Sequence, residues 1–168
     1  RQTRAPANPV STHGPQYYGT VVDDPALASS SLPLLHWFVE NPRAVDSGGT
    51  TRCALFYQGE FYDNLLLTLH GQSTRGFPKK SYDIDFHPGH RFRWSDSAPR
   101  VDNLNLLTTW ADKTHLRTPL AYDTYRDAGG PSHFAFGIRV QQNGSFFSVA
   151  NLVENGDKHY LERLGLDP

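Results

Sequence analysis

The sequence predicts an α+β domain, in which an antiparallel β-sheet packs against one main helix. Two observations predict the sheet. Apolar and polar residues alternate on both sides of a loop at residues 71–80, and Asn143-Gly144 joins two alternating apolar arms within residues 134–154. A third observation predicts the helix, because apolar residues recur every three or four positions over residues 118–128, directly before a pair of glycines.

The hairpin at residues 64–86 is predicted to have one buried face. Apolar side chains occupy every second position in both of its arms: Leu65, Leu67, Leu69, Tyr82, Ile84 and Phe86. On the opposite face of the second arm, Asp83 and Asp85 could bind a divalent ion, but a solvated strand face explains them better. The rest of the chain is expected to support this hairpin.

The loop of this hairpin, residues 71–80, contains groups that suit a bound anion. Two glycines allow close backbone approach, two hydroxyls can donate and three side chains are cationic: Gly71, Gly76, Ser73, Thr74, Arg75, Lys79 and Lys80. The glycine spacing matches neither the Walker loop nor the glycine-rich loop of protein kinases. On composition alone, an exposed hairpin end, where Pro and Lys discourage edge pairing, is the simpler interpretation.

The first half of the chain adds an arm and further strands. Residues 1–31 are rich in Pro and Ser, which predicts an extended arm, and residues 32–168 form the predicted domain. The run at 32–39 is apolar on both faces, so a buried strand and a short buried helix fit equally well. Residues 51–62 predict a hairpin, and residues 91–94 a short strand.

The second half contains the two predicted helices. The main helix is expected to begin with Thr118 as N-cap and Pro119 at the first helical position, after a turn over residues 112–117. Its packed stripe consists of Leu116, Leu120, Ala121, Tyr125 and Ala128. Asp157 is expected to cap a short second helix that ends at Gly165.

Composition excludes several classes of function. With 16 Lys and Arg against 17 Asp and Glu, the chain has no broad field to attract nucleic acid or an anionic membrane surface. No apolar run is long enough for a membrane span, and the single cysteine, Cys53, is expected to be buried. The chain begins with Arg1 and contains no Met, which predicts a piece of a longer product.

Other combinations of reactive side chains are weak. His87 and His90 lie in a predicted turn without a third ligand nearby, so no metal site is expected. Ser73 and His70 lack an orienting acid and do not form a catalytic pair.

Three segments, residues 70–86, 104–129 and 140–167, together resemble the CotH kinase family, the spore-coat-protein-H relatives of the protein kinases. In that family a glycine-containing loop precedes Pro-Lys-Lys-Ser-Tyr, which matches residues 78–82. An aspartate, a leucine and an arginine open a helix, and an Asn-Gly hairpin ends in a glutamate. The likeness covers roughly residues 32–168.

The resemblance implies an atypical kinase fold, with this chain as an N-terminal lobe that binds ATP and Mg²⁺ and with Ser phosphorylation by the intact domain. The cofactor-contacting residues carried over by position are Gly71, Ser73, Arg75, Lys79, Lys80 and Glu154. Lys80 is preferred over Lys79 because the strand begins there and fixes its direction. Glu154 ends the strand that leads to the hinge.

The resemblance also implies that the catalytic residues lie elsewhere. In kinases the catalytic and metal-holding aspartates follow the hinge, whereas this sequence ends at Pro168. We therefore expect no catalytic residue in the chain, a missing C-terminal lobe or partner chain, and an extracellular or envelope location by family habit. His70 and Gln72 replace the family's usual Arg and Asn, so a non-catalytic surface interaction module remains the alternative.

Overall fold

The structure is a computed structural model that describes residues 2–7, 15–19, 21 and 30–167. Its strands are β1 (Gln2–Ala7), β2 (Pro15–Gly19), β3 (Leu34–Val39), β4 (Thr51–Tyr57), β5 (Glu60–His70), β6 (Ser81–Asp85), β7 (Asn103–Leu107), β8 (Ala135–Gln142) and β9 (Ser145–Glu154). The helices are α1 (Pro42–Asp46), α2 (Arg117–Asp127) and α3 (Lys158–Arg163), and a short 3₁₀ turn covers Ser73–Gly76.

Seven strands form a closed barrel in the order β3-β4-β5-β6-β7-β9-β8. Neighbouring strands are antiparallel except at the seam, where β3 pairs in parallel with β8. There Leu34 lies opposite Arg139 and Trp37 opposite Gln142. The barrel therefore closes between two segments that are about one hundred residues apart in the chain.

Alternating side chains of the strands fill the barrel interior. Leu65, Leu67 and Leu69 of β5 point inward and are buried, as are Tyr82 and Ile84 of β6, which confirms the predicted one-sided hairpin. Trp37 lies fully buried among them. Its ring packs edge-to-face with the ring of Tyr82, and the two ring centroids are 5.0 Å apart. The interior is therefore a packed core.

The predicted α+β fold, a kinase-like N-terminal lobe with one main packed helix, is wrong. The chain is mostly sheet with a few short helices, and the barrel buries its core without a covering helix. Leu116, Leu120 and Tyr125, which were expected to pack, are 55%, 58% and 64% exposed. Helical periodicity predicted the helix itself, but the core that it was expected to cover is already closed by β3 and β8.

Most local predictions are confirmed and a few need correction. Asn143 and Gly144 have φ values of 51° and 87° and turn the β8–β9 hairpin as expected. Residues 34–39 are a strand, which resolves the ambiguity over 32–39. The predicted strand at 91–94 is wrong, because only a single bridge joins Phe92 to Val101. Helix α2 begins at Arg117, slightly before the predicted start.

The N-terminal arm is described in part. Strands β1 and β2 form a two-stranded antiparallel sheet, while residues 8–14, 20 and 22–29 lie outside the described residues. A Cβ added at Gly19 would lie 2.2 Å from the ring of Phe38, so β2 approaches the outside of β3 closely. Of the helices in the described part of the chain, none is long and apolar enough to span a membrane.

Candidate functional site

The loop of residues 71–80 joins β5 to β6 and is tightly folded. Gly71 has a φ of +85°, and a Cβ at this position would lie 2.2 Å from the Thr74 hydroxyl oxygen. Within the loop, the Arg75 and Phe77 amides donate to the carbonyl oxygens of Gln72 and Thr74. A side chain at residue 71 would therefore disrupt the 3₁₀ turn that carries the predicted phosphate-binding residues.

Two of the three cations of this loop donate to nearby backbone carbonyl oxygens, one in β5 and one in the loop itself. Arg75 donates from Nη2 to the Leu69 carbonyl oxygen at 3.2 Å, and Lys80 donates from Nζ to the Arg75 carbonyl oxygen. Among the residues that the structure describes, Arg75, Lys79 and Lys80 form no ion pair with a carboxylate. The loop therefore carries three positive charges that no acidic side chain of the described residues compensates by an ion pair.

The far end of the loop is fixed to the neighbouring strand. Thr108, which follows β7 and is buried, donates its hydroxyl to the Lys79 carbonyl oxygen at 3.3 Å. Its amide donates to the Ser81 hydroxyl at 3.2 Å. These bonds hold the backbone of Lys79 in place and so set where the side chains of Lys79 and Lys80 begin.

The structure brings five of the six predicted cofactor residues together in this loop and places Glu154 apart from them. Glu154 ends β9 opposite Leu104, which in turn pairs with Ile84. Ser81 is the first residue of β6 and directly follows the 71–80 loop. Ile84 comes three residues later in the same strand, which at the rise of a β-strand is about 10 Å from Ser81. Glu154 thus lies toward the other end of the strands.

Glu154 anchors helix α3. It is 3% exposed, and it accepts hydrogen bonds from Arg163 Nε at 2.9 Å and Nη2 at 2.6 Å. Arg163 also donates to the Ser132 carbonyl oxygen at 2.8 Å. The bidentate pair compensates a buried charge and fixes α3 against the end of β9.

An aromatic stack adjoins this ion pair. The ring of His133 stacks on Tyr160 of α3 with centroids 3.9 Å apart, and its Nδ1 lies 3.8 Å from a Glu154 carboxylate oxygen. Burial lowers the pKa of His133, although the nearby Glu154 charge opposes that shift. Arg163 and His133 are not among the predicted site residues, because no local pattern links a strand-end Glu to an Arg nine residues later.

Candidate metal ligands do not converge in the described part of the chain. No group of three or more His, Cys, Asp or Glu side chains there is arranged to hold a metal ion. Instead, His90 donates from Nε2 to a Glu60 carboxylate oxygen 2.9 Å away, and His87 accepts at Nδ1 from the Gly89 amide at 3.1 Å.

Comparison with known families identifies the protein family of the chain. Residues 67–168 match the family described as CotH kinase protein, and this match covers more than half of the 168 residues. The chain belongs to the CotH kinase family. The matched region of this CotH chain begins in β5 and includes the 71–80 loop, α2 and Glu154. Among curated proteins, no sequence matches the chain significantly.

Membership in the CotH kinase family confirms the resemblance that the three segments indicated. It also indicates a kinase-like function for the CotH chain.

Proposed function

We propose that this chain is the nucleotide-binding half of a CotH-type protein kinase, whose intact domain phosphorylates proteins on Ser with ATP and Mg²⁺. One observation supports the proposal most directly. The 71–80 loop lies in the matched region and carries Arg75, Lys79 and Lys80 without compensating carboxylates among the described residues. In this proposal the loop contacts the ATP phosphates.

The loop residues fit phosphate in chemistry. Arg75 and Lys80 now donate to neutral carbonyl oxygens, and charge-assisted hydrogen bonds to phosphate oxygens are roughly twice as strong as neutral ones. An anion at the loop would therefore compete well for these donors. Ser73, at the start of the 3₁₀ turn and exposed, would add a hydroxyl.

The described residues do not offer a comparable site for Mg²⁺. Mg²⁺ prefers an octahedral set of oxygen ligands, often one or two carboxylates with phosphates and water. No grouping of three acidic or His side chains suits a metal in the described part of the chain, and we assign no magnesium ligand to it.

When bound, ATP supplies the phosphoryl group that is transferred. The part of this chain would be to orient the phosphates and neutralise their charge, because phosphoryl transfer depends mainly on positioning and electrostatics. Thr108 contributes by fixing the Lys79 backbone, and Gly71 by permitting the turn.

Titration with Mg·ATP tests this proposal. We expect the combined change Arg75→Ala, Lys79→Ala and Lys80→Ala to weaken ATP binding at least about tenfold, since the loss of even one charge-assisted contact costs about 1.5–3 kcal/mol. Among single variants, Lys80→Ala should weaken it most. Calorimetry on the chain, and autophosphorylation of the longer protein that contains it, provide the measurements.

The matched control is the pair Lys113→Ala and Lys158→Ala, which removes two cations outside the loop. This control should bind ATP as the unmodified chain does. Equal affinity of the triple loop variant and the unmodified chain would remove the 71–80 loop from the nucleotide site.

A second candidate function is that of an interaction module without catalysis at the cell surface or envelope. The observation that favours it is a set of exposed apolar side chains before and along α2: Trp110, Leu116, Leu120 and Tyr125. Exposed apolar clusters of this kind often mark protein contacts. Absence of ATP binding in the titration above would favour this candidate over the kinase.

A further inference from the structure

A small cavity lies on the outside of the barrel, away from the 71–80 loop. It has a volume of about 220 Å³ and is lined by Arg52, Asn64, Leu65, Leu66, Asp85, Phe86, His87 and Pro88. These residues come from β4, from β5, and from the end of β6 with the turn that follows. The cavity is smaller than the roughly 300–1,000 Å³ typical of sites for drug-sized ligands. It matches a single amino-acid side chain better than a nucleotide.

Two of the residues that line the cavity carry a hydrogen-bond acceptor, Asp85 and Asn64. The Asp85 carboxylate accepts from the neutral Asn103 amide and forms no ion pair among the described residues. Burial raises the pKa of Asp85, and the nearby charges of Asp83 and Asp102 raise it further, so its anion is poorly solvated. The Asn64 side-chain oxygen is buried and accepts no hydrogen bond within the described part of the chain. Both groups would be satisfied by a ligand that donates.

Arg52, the permanently charged cation of the cavity lining, is already compensated. Arg52 donates from Nε and Nη2 to the two carboxylate oxygens of Glu40, at 3.1 and 3.2 Å. His87 accepts at Nδ1 from the Gly89 amide at 3.1 Å. The uncompensated charge of the cavity is therefore the negative charge of Asp85, and a cation complements it.

The remaining wall is apolar. Leu66 points outward from β5 and is 44% exposed, and Phe86 and Pro88 line the cavity beside it. Such a wall suits an alkyl chain whose charged end reaches a polar partner, as long basic side chains do. In addition, Arg52 Nη1 is buried without an acceptor among the described residues and could donate to a backbone carbonyl of the same ligand.

We propose that this cavity binds the side chain of a lysine in a peptide or protein, with its ammonium group donating to Asp85 and to the Asn64 oxygen. An ammonium group has three donors and no acceptor, which matches two acceptors of which one is an anion. The four-carbon stem then packs on Leu66, Phe86 and Pro88. The site does not rest on the proposed nucleotide function, because none of its residues belongs to the 71–80 loop.

Titration with two blocked amino acids, followed by amide NMR spectra of the chain, tests the proposal. Nα-acetyl-lysine methylamide should give saturable shifts centred on Leu66, Phe86 and His87. Nα-acetyl-norleucine methylamide has nearly the same stem without the charge and should bind at least about tenfold more weakly. Equal binding of the two compounds, or shifts spread over other surfaces, would overturn the proposal.

Two variants locate the charge that selects the ligand. Asp85→Asn keeps an oxygen that can accept from Asn103 and should reduce affinity for the lysine probe at least about tenfold. Asp83→Asn makes the same change two residues away on the same face of β6, outside the cavity lining, and should change affinity by less than about threefold.

A third variant tests the apolar wall. Leu66→Gln alters only an exposed wall residue and should weaken binding several-fold. Wild-type affinity in both Asp85→Asn and Leu66→Gln would refute the site.

Discussion

Glu60, at the start of β5, is the most heavily hydrogen-bonded carboxylate among the described residues. It accepts from both terminal nitrogens of Arg100, at 2.5 and 3.1 Å, and from Arg93 Nε at 3.1 Å. His90 Nε2 lies 2.9 Å from one of its oxygens. The bonds from Arg100 contribute most to lowering the pKa of Glu60 to about 2. Through these contacts Glu60 fixes the irregular segment between β6 and β7.

We expect Glu60→Gln to lower the free energy of unfolding by about 2 kcal/mol at pH 7. The pKa of Glu60 in the fold, about 2, is below its ordinary value of 4.5. The charged form therefore stabilises the fold above about pH 4.5, and this contribution is lost as the pH falls towards 2. Urea denaturation at pH 7, 5, 4 and 3 should show the two proteins converging.

Glu162→Gln is the control for this experiment, because the Glu162 side chain is 54% exposed and contacts one histidine. Its effect should stay below about 0.5 kcal/mol. A difference between Glu60→Gln and the unmodified chain that stays constant down to pH 3 would contradict the assigned role of the charge.

Helix α2 is attached to the barrel by few buried groups. It buries no residue fully, and the Ser132 hydroxyl donates to the Tyr122 carbonyl oxygen at 2.7 Å. Its two leucine positions, Leu116 at the N-cap and Leu120, face solvent. The helix therefore adds little hydrophobic burial to the fold.

We expect Leu120→Ala to change the free energy of unfolding by less than about 0.5 kcal/mol, because its side chain is already 58% exposed. Leu106→Ala removes the same atoms from a fully buried position in β7 and should cost about 2–5 kcal/mol. Urea denaturation of both variants gives the comparison. Similar losses of unfolding free energy in the two variants would contradict the solvent-facing position of Leu120.

At the scale of the whole molecule, the pairing of β3 with β8 closes the barrel. Asn143, in the turn after β8, forms hydrogen bonds with the backbone of β3. The Asn143 amide donates to the Trp37 carbonyl oxygen at 2.8 Å. Its side chain accepts from the Val39 amide at 2.9 Å and donates to the Val39 carbonyl oxygen at 3.2 Å. One turn residue therefore completes the hydrogen bonding at the end of β3.

Asn143→Gly should lower the free energy of unfolding by about 1–3 kcal/mol, since it keeps the positive φ but removes two side-chain hydrogen bonds. Hydrogen exchange should accelerate in β3 and β8 before the other strands. Gln58→Gly makes the matching change at a turn residue with a φ of 45° between β4 and β5. Equal losses in the two variants would show that Asn143 acts through the turn alone.

Features that depend on neighbouring residues could be predicted from the sequence. Alternation of apolar residues predicted the β5–β6 hairpin, Asn143-Gly144 predicted the β8–β9 hairpin, and Asp157 predicted the cap of α3, where it accepts from two amides. The ordered match of three segments likewise predicted the CotH kinase family, which the comparison with known families confirmed.

The candidate site could be predicted only in part. Residues 71–80 are contiguous, so the sequence alone placed their glycines, hydroxyls and cations together. It could not show that Arg75 donates to the Leu69 carbonyl oxygen in β5, that Lys80 donates to the Arg75 carbonyl oxygen, or that Glu154 pairs with Arg163. Those contacts depend on side-chain directions and on where α3 lies.

The sequence by itself therefore determined the hairpins, the positions of α2 and α3, the cationic loop and the family. The tertiary structure alone decided that the sheet closes, that α2 leaves its leucines in solvent, and that Asp85 and Asn64 share a cavity. The reason is physical. Turns and periodicity are set by interactions between near neighbours, whereas barrel closure joins β3 to β8 across about one hundred residues, and no local pattern specifies such a pairing.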